Sequence, residues 1–361
     1  MQQLFLPYQL GSLNLSNRIV MAPMTRSRAL NNIPNELMAE YYAQRATAGL
    51  IITEGTSPSP NGLGYARIPG IFSEDQLKGW QKVTSAVHQK GGKIIIQLMH
   101  TGRVGHPLNL PKDATLAAPS AVKLETTSMW VDGEGLKEIP APKEMSRKEI
   151  QLVINEYIHA AEKAINAGFD GIELHGANGY LIKQFLNPHT NRRTDEYGGS
   201  IENRSRFLLE VTEGVLNVIG KEKVGVRISP FGEFNETPQY REAEATYQYI
   251  GKKLNDLRIG YLHITDPLIK GQPNDLVLSL RKIFKNTLIL SGGYTAVTAE
   301  YVIKNNQADL VSFARTFIPN PDLVERFKNK LPLNQPKFDL FYTPGPEGYV
   351  DYPVFEEVQV V

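Results

Sequence analysis

Three polar side chains that can donate hydrogen bonds or exchange protons follow one short apolar run, in the stretch GIELHGANGYLIKQFLNP at residues 171–188. They are the imidazole of His175, the amide of Asn178 and the phenol of Tyr180. Imidazoles and phenols act as general acids or bases in enzymes, and an amide can donate to a substrate oxygen. The stretch therefore predicts a catalytic site, and the alternative is an ordinary polar loop turned by its glycines.

Short runs rich in Val, Ile and Leu recur along the chain, and each is followed by an amphipathic stretch. Parallel strands that are buried on both faces have this composition. The eight runs are RIVMAP (18–23), LIITEG (50–55), KIIIQLM (93–99), GIELHG (171–176), VGVRISP (224–230), YLHITD (261–266), TLILSGG (287–293) and LVSFAR (310–315). Eight strands alternating with helices predict an α/β fold, a closed (β/α)8 TIM barrel, with an open doubly wound sheet as the alternative.

The barrel accounts for nearly the whole sequence, so residues 1–361 are expected to form a single domain. Residues 1–17 are expected to act as an N-terminal cap, and residues 331–361 as a Pro/Tyr-rich C-terminal tail. The long connection after the third run, about residues 101–145, is predicted to cross the barrel mouth. Ser146 and Glu149 have the spacing of a capping box, which predicts that a helix begins directly after this connection.

Composition excludes several classes of partner and site. The 39 Lys and Arg residues nearly balance the 38 Asp and Glu residues, so no overall charge favours nucleic acid or an anionic membrane. The absence of cysteine excludes disulfides, iron–sulfur clusters, zinc–thiolate sites and thiol nucleophiles. The N-terminus lacks a signal-peptide pattern and no apolar run could span a bilayer. We therefore expect a cytoplasmic protein that acts on small molecules, as a monomer or a homo-oligomer.

The loops after the strands build the active site of such a barrel, so residues at the carboxyl ends of the runs are candidates. Gly292 and Gly293 allow backbone N–H groups to approach an anion, and Arg315 adds a guanidinium, which together predict a phosphate pocket. Gln97 and Arg227 could bind the edge of a heterocycle. Neither a G-x-G-x-x-G motif nor a Walker loop occurs, which disfavours a Rossmann or ATP site. The combination favours flavin mononucleotide (FMN).

Nine stretches make the chain similar, almost from end to end, to the old yellow enzyme family of flavin-dependent ene-reductases. They are NRIVMAPMTRSRA, GLIITEG, GYARIPGI, QLMHTGR, ELHGANGYLIKQFLNPHTNRRTDEYGGSIENRSRF, VGVRISPFGEFN, SGGYT, FARTFIPNPDLVER and GPEGYVDYP. The resemblance implies tightly bound, non-covalent FMN and either NADPH or NADH as the reductant. It also implies ping-pong delivery of hydride from flavin N5 to the β-carbon of α,β-unsaturated carbonyls and maleimides, and a similar reduction of quinones, nitro compounds or nitrate esters.

The resemblance further implies which residues hold the cofactor. Around the isoalloxazine ring they would be Pro23, Met24, Thr25, Gly55, Gln97 and Arg227, and around the ribityl phosphate Gly292, Gly293, Ala314 and Arg315. Thr25 would tune the flavin through its O4 atom. Family members often have glycine where this chain has Ala314, and we expect a mild effect because backbone contacts to phosphate survive an alanine.

By the same resemblance, His175 and Asn178 would donate to the substrate carbonyl oxygen, where negative charge develops as hydride arrives. Tyr180 would then deliver a proton to the α-carbon. Tyr65, Met99 and Tyr349 would border the substrate, together with His175 and Asn178. Family members often carry tryptophan at the position of Met99, so this chain is expected to have a wider pocket there.

Two other functions remain open from the residues alone. A metal-assisted barrel hydrolase could use Glu173, His175, His100 and Asp266 as ligands, and it would be colourless and sensitive to chelators. A flavin-binding protein without turnover would keep the cofactor pocket but would not need the complete set of His175, Asn178 and Tyr180. We expect the ene-reductase, with no metal.

Overall fold

The computed structural model describes residues 2–355, and its centre is a closed barrel of parallel strands. Fourteen strands are present in this part of the chain: β1 (Tyr8–Leu10), β2 (Leu13–Leu15), β3 (Ile19–Met21), β4 (Leu50–Thr56), β5 (Ile94–Leu98), β6 (Ala117–Ala118), β7 (Ser128–Val131), β8 (Gly135–Glu138), β9 (Lys143–Glu144), β10 (Gly171–Gly176), β11 (Val224–Ile228), β12 (Tyr261–Thr265), β13 (Thr287–Ser291) and β14 (Leu310–Phe313). The barrel order is β10-β11-β12-β13-β14-β3-β4-β5. Each predicted run contains one barrel strand, so the TIM-barrel prediction is confirmed and the open sheet is wrong.

Helices follow the barrel strands along the sequence. Residues 2–355 contain α1 (Glu36–Gln44), α2 (Glu74–Gln89), α3 (Arg147–Asn166), α4 (Leu181–Leu186), α5 (Ile201–Ile219), α6 (Ala243–Leu257), α7 (Asp275–Ile283), α8 (Ala296–Lys304) and α9 (Leu323–Asn329). The predicted capping box begins α3, where the Ser146 side chain accepts from the N–H of Glu149 and the Glu149 carboxylate accepts from the N–H of Ser146. Within the described residues, no helix is both long enough and apolar enough to cross a membrane.

The strands bury apolar side chains on both sides. Outward-facing residues such as Ile172 and Leu174 pack into the large cluster that includes the helices, whereas Ile95, Tyr261 and Ile289 belong to a separate cluster. This second cluster also contains Leu10 and Leu15 of the β1–β2 hairpin and residues at the first positions of barrel strands. The hairpin therefore packs against the amino-terminal end of the barrel.

Polar residues occupy the next interior layer. The buried Glu173 carboxylate accepts from Gln97 Nε2 at 2.8 Å and lies 2.8 Å from His263 Nδ1, while His263 Nε2 lies 2.9 Å from Ser312 Oγ. Burial and the nearby Arg227 lower the pKa of His263, so its imidazole is neutral and donates to Glu173. Burial alone would raise the pKa of Glu173, but His263, Arg227 and Gln97 hold it below its ordinary value. This layer supports the residues at the carboxyl ends of the strands.

The long connection between β5 and α3 carries the β7–β8 hairpin, which lies over the barrel mouth beside the C-terminal segment.

The C-terminal segment is held by arginines that donate to its backbone carbonyl groups. Arg28 donates to the carbonyl oxygens of Leu340 and Glu347, and Arg26 donates to that of Gly348. Residues 356–361 of the predicted tail lie outside the described part of the chain.

The ring of Tyr261 requires a glycine on the neighbouring strand. Tyr261 pairs in register with Gly225, and a Cβ atom at Gly225 would overlap the Tyr261 ring. We expect Gly225→Ala to lower the free energy of unfolding by about 1–3 kcal/mol, since overpacking forces side chains and backbone to shift.

Chemical denaturation checks this expectation, with the same substitution in a Tyr261→Ala background as the control. Removing the ring should abolish most of the cost of Gly225→Ala. An equal cost in both backgrounds would contradict the steric explanation.

Candidate active site

Two cavities lie at the carboxyl ends of the barrel strands and share Asn178 and Phe234 in their walls. The first has a volume of about 1150 Å³ and is lined by the ends of β12, β13 and β14. The second has a volume of about 900 Å³ and is lined by the ends of β3, β4, β5, β10 and β11 together with the β7–β8 hairpin. Asn178 and Phe234 thus stand where the two cavities meet. Each cavity is large enough for part of a cofactor or a small-molecule substrate.

The turn after β10 brings His175, Asn178 and Tyr180 to the wall of the second cavity. Asn178 and Gly179 both adopt left-handed backbone conformations, with φ values of 56° and 75°. The backbone N–H of Asn178 donates to Ser229 Oγ at 2.8 Å, and its carbonyl oxygen accepts from Asn235 Nδ2 at 2.8 Å. The loop after β11 therefore holds both backbone groups of Asn178.

His175 is buried and electrically neutral. Burial, followed by the positive charge of Arg227, holds its pKa well below the ordinary range. Its Nδ1 atom is buried without a hydrogen-bond partner among the described residues, and the side chain lines the second cavity. A neutral imidazole with a free N–H can donate to an oxygen without carrying a charge of its own.

Tyr180 keeps its proton at neutral pH. Burial raises the pKa of Tyr180, although hydrogen bonds to Tyr65 and Asn235 oppose this. The Tyr65 and Tyr180 hydroxyl groups are 3.0 Å apart, and both side chains line the cavity. Tyr180 can therefore act as an acid, and Tyr65 fixes the position of its hydroxyl group.

Five of the six residues predicted to surround the flavin ring lie together in the second cavity. They are Pro23, Thr25, Gly55, Gln97 and Arg227. Arg227 Nε is buried without a partner, while the Gln97 amide is fixed by Glu173. An unpaired buried guanidinium atom is costly unless a bound group satisfies it. These donors fit the polar edge of an isoalloxazine ring.

The four residues predicted to surround the phosphate line the first cavity: Gly292, Gly293, Ala314 and Arg315. Gly292 and Gly293 have φ values of 144° and 68°, which favour glycine. A Cβ atom at Gly292 would lie 2.8 Å from the carbonyl oxygen of Asp266. The backbone there can approach an anion closely, and Arg315 supplies positive charge at the exposed side, so the residues present fit a phosphate group.

Two predicted residues lie elsewhere. Met24 is partly buried and packs against Ile318, Phe341 and Tyr352, so its side chain is not part of either cavity wall. Tyr349 is fully buried and stacks on Tyr41, with ring centroids 4.0 Å apart. Tyr349 therefore does not line either cavity, and its expected contact with substrate has no support from its position.

Tyr342 of the C-terminal segment lines the second cavity instead, and this residue is 62% exposed. Sequence reasoning also missed Ser229 and Phe231 in the wall of the first cavity, and Trp130 and Leu136 of the β7–β8 hairpin in the wall of the second. A signal for Ser229 was present, because it directly follows the VGVRI strand. The hairpin residues had none, since their position depends on how the long connection folds back.

The residues that a metal-assisted hydrolase would use as ligands form hydrogen bonds to different partners. Glu173 is paired with His263, the Asp266 carboxylate accepts from the N–H groups of Phe231 and Leu268, and His100 Nδ1 accepts from the N–H of Gly102. Residues 2–355 contain no group of three or more His, Cys, Asp or Glu side chains that could hold a metal ion. The geometry thus gives no support to a metal-assisted hydrolase.

Comparison with known proteins places the chain in a family. Residues 3–334 match the model of the NADH:flavin oxidoreductase / NADH oxidase family. The chain belongs to this family. It is 42% identical over 374 residues to 12-oxophytodienoate reductase 7 of Oryza sativa subsp. japonica, covering 97% of this chain and 94% of the relative.

Solved structures of the NADH:flavin oxidoreductase family agree with this assignment. Morphinone reductase in complex with tetrahydroNAD is 45% identical with a TM-score of 0.94, and the match covers 98% of each chain. The old yellow enzyme homologue of Zymomonas mobilis is 42% identical with a TM-score of 0.93, covering 98% of this chain and 99% of the other. The resemblance to the old yellow enzymes is confirmed.

Met99 lines the second cavity at the position where the resemblance implies the larger tryptophan in many family members. It is buried, packs in one cluster with Leu63 and Tyr180, and lies against Gly55, where a Cβ atom would come within 2.5 Å of its sulfur. We expect Met99→Trp to keep FMN bound and to preserve activity on unsubstituted cyclohexenone. The same substitution should lower kcat/KM for large β-substituted enones by about 10- to 200-fold, because the indole narrows the cavity.

Kinetics on a matched pair of small and large enones, with FMN content measured in the same preparations, checks this expectation. Equal losses on both substrates, or loss of FMN, would mean that tryptophan overpacks the site and that Met99 does not select substrates.

Proposed function

We propose that this protein is an FMN-dependent oxidoreductase that uses NADH or NADPH to reduce the activated carbon–carbon double bond of small molecules. The observation that carries the proposal is the convergence of His175, Asn178 and Tyr180 on the cavity that also contains Gln97 and Arg227. Held by Gln97 and Arg227 at its ring and by Gly292, Gly293, Ala314 and Arg315 at its phosphate, FMN would supply the hydride-transfer chemistry between the nicotinamide and the substrate β-carbon. Family membership supports the flavin and the nicotinamide reductant.

His175 and Asn178 bind the carbonyl oxygen of the substrate in this proposal. Negative charge grows on that oxygen during reduction, so donors aimed at it bind the transition state more strongly than the ground state. Both donors are held in place beforehand: His175 lies on a barrel strand, and the backbone of Asn178 is fixed by Ser229 and Asn235. Because His175 is already neutral, it donates without exchanging its own proton.

Tyr180 supplies the proton that completes the product. Its raised pKa keeps the phenol protonated at neutral pH, and its hydroxyl group is positioned by Tyr65 at 3.0 Å. Tyr180 is only 8% exposed, so its ring is held by its surroundings while its side chain lines the cavity. The proton at the α-carbon therefore comes from a fixed direction.

The substrates we propose are α,β-unsaturated carbonyls and maleimides, with quinones, nitro compounds and nitrate esters as further electron acceptors. All of them present an oxygen to the same pair of donors. Two relatives are named for morphinone and 12-oxophytodienoate. Tyr65, Met99 and Tyr342 would border such substrates on the side facing the mouth. A cytoplasmic location, with no nucleic-acid or membrane partner, is part of the proposal.

The simplest test of the proposal is the absorbance of the purified protein. Bound FMN gives a yellow protein, and NADH or NADPH should bleach it until cyclohexenone restores the colour. A yellow protein that is bleached but never restored by any acceptor would support flavin binding without turnover of these substrates.

Replacing Tyr180 by phenylalanine separates the proton donor from the other steps. We expect NADH to bleach the yellow absorbance of Tyr180→Phe at nearly the wild-type rate. Reoxidation by cyclohexenone should slow by about 100-fold or more, because a positioned general acid contributes a factor of this size. Stopped-flow absorbance measures the two half-reactions in the same preparation.

Tyr65→Phe is the matched control, since it removes the hydroxyl group that positions Tyr180 but leaves the proton donor in place. It should slow reoxidation by cyclohexenone much less than Tyr180→Phe does. Quinone reduction should be less affected in both variants, because its proton can come from water. Equal slowing of both half-reactions in Tyr180→Phe would rule out a specific role as acid.

Removing either oxygen-binding donor should weaken the binding of phenolates, which resemble the substrate oxygen when it carries negative charge. We expect His175→Ala and Asn178→Ala each to raise the Kd of para-hydroxybenzaldehyde and to diminish the long-wavelength absorbance band that it forms with the flavin. Each charge-assisted hydrogen bond contributes on the order of 1.5–3 kcal/mol. Spectral titration measures both quantities, and unchanged affinity in both variants would exclude the pair as the oxygen-binding site.

A further inference from the structure

Lys183, on the helix that follows the catalytic turn, is a buried charged residue that the proposed mechanism does not use. It lies in α4 and is 1% exposed. A buried ammonium group is stable only when all of its donors find acceptors. Its environment must therefore supply three oxygens.

Those three oxygens come from one loop, the residues directly after β11. Lys183 Nζ donates to the carbonyl oxygen of Ser229 at 2.8 Å, to Ser229 Oγ at 3.1 Å and to the carbonyl oxygen of Gly232. The ammonium group thus fixes the path of residues 229–232. Burial lowers the pKa of Lys183 to about 8, while Asp266 and Glu233 act against this effect.

The same loop determines the conformation of Asn178. Ser229 Oγ, which accepts from Lys183, also accepts from the backbone N–H of Asn178 at 2.8 Å. Asn235, further along the loop, donates to the carbonyl oxygen of Asn178. Asn178 has a φ of 56°, a left-handed conformation that asparagine adopts more readily than most residues, and these two hydrogen bonds hold the turn in it.

We propose that Lys183 is a positioning residue that acts through Ser229 to hold the Asn178 amide in the geometry for binding the substrate oxygen. Lys183 donates to the loop, and the loop accepts from the N–H of Asn178. The ammonium group therefore affects the substrate only indirectly, through the position of Asn178. The role rests on the proposed function, because it requires that Asn178 bind the oxygen. A neutral side chain of similar length would leave the carbonyl groups of the loop without donors.

A double-mutant cycle with Asn178 tests the role. The variants are Lys183→Met, which keeps the length and removes the donors, and Ser229→Ala, which removes only the shared hydroxyl group. Each is made with Asn178 and with Asn178→Ala, and the probe is para-hydroxybenzaldehyde, titrated spectrally. FMN content and the urea unfolding midpoint are measured for every preparation.

With Asn178 present, Lys183→Met and Ser229→Ala should each weaken binding of the probe by about tenfold, since a misplaced donor loses its hydrogen bond. In the Asn178→Ala background, the same substitutions should change the Kd by less than about twofold, because residues that act through one group are not additive. Lys183→Gln keeps two N–H donors and should give an intermediate affinity with Asn178 present.

Equal losses in both backgrounds would overturn the inference, because a purely structural residue lowers affinity whether or not Asn178 is present. Ser229→Ala decides the question by the same comparison if Lys183→Met does not fold. Unchanged affinity in Asn178→Ala itself would overturn both the oxygen-binding role of Asn178 and this inference. A normal loss in Asn178→Ala with additive effects of the other variants would overturn the inference alone.

Discussion

The buried carboxylate of Glu173 is the constraint on which the interior of the barrel depends. An ionised carboxyl group at this depth is tolerated only because partners satisfy it from several strands. Gln97 from β5 and His263 from β12 bond to it directly, and Arg227 from β11 lies close enough to lower its pKa. The carboxylate also orients Gln97, while burial and the charge of Arg227 keep His263 and His175 neutral. The interior of the barrel and the wall of the second cavity thus share one buried network.

The second requirement is the fixed mouth above this network. Three segments that are distant in sequence meet there, and Arg67 connects them. Its guanidinium pairs with Asp132 of the β7–β8 connection and donates to the carbonyl oxygen of Tyr342, while Nε donates to the carbonyl oxygen of Ser27. The apolar side chains at the mouth, Trp130 and Leu136, therefore stand at defined positions although they are exposed.

The barrel and most of the site could be predicted from the sequence because both depend on local pattern. Buried parallel strands need continuous apolar runs, and the residues that end such runs must face the same end of the barrel. The predicted ends of β10, β11 and β13 thus put His175, Arg227 and Gly292 at the mouth of the barrel, where the structure has them. Tyr349 and Tyr342 illustrate what pattern cannot supply, because both lie in a segment without regular periodicity. Contacts distant in sequence decide which tyrosine is buried and which faces the cavity. They are the arginine hydrogen bonds to the carbonyl groups of the C-terminal segment and the stacking of Tyr349 on Tyr41. The burial of Lys183 could not be predicted for a related reason, since it depends on the loop after β11, 46 or more positions along the chain.

The arginine contacts to the C-terminal segment also bear on the order in which the molecule forms during synthesis. Arg26 and Gly348 are 322 positions apart, and Arg28 and Leu340 are 312 apart. A ribosome therefore exposes the arginines long before it makes the carbonyl groups that they bind, at a pace of about 5–20 residues per second. During that interval the strands already made can pair, while the guanidinium groups of Arg26 and Arg28 lack these carbonyl partners. The wall that carries Tyr342 is consequently the last part of the second cavity to be synthesised, after all of the strand ends that line it.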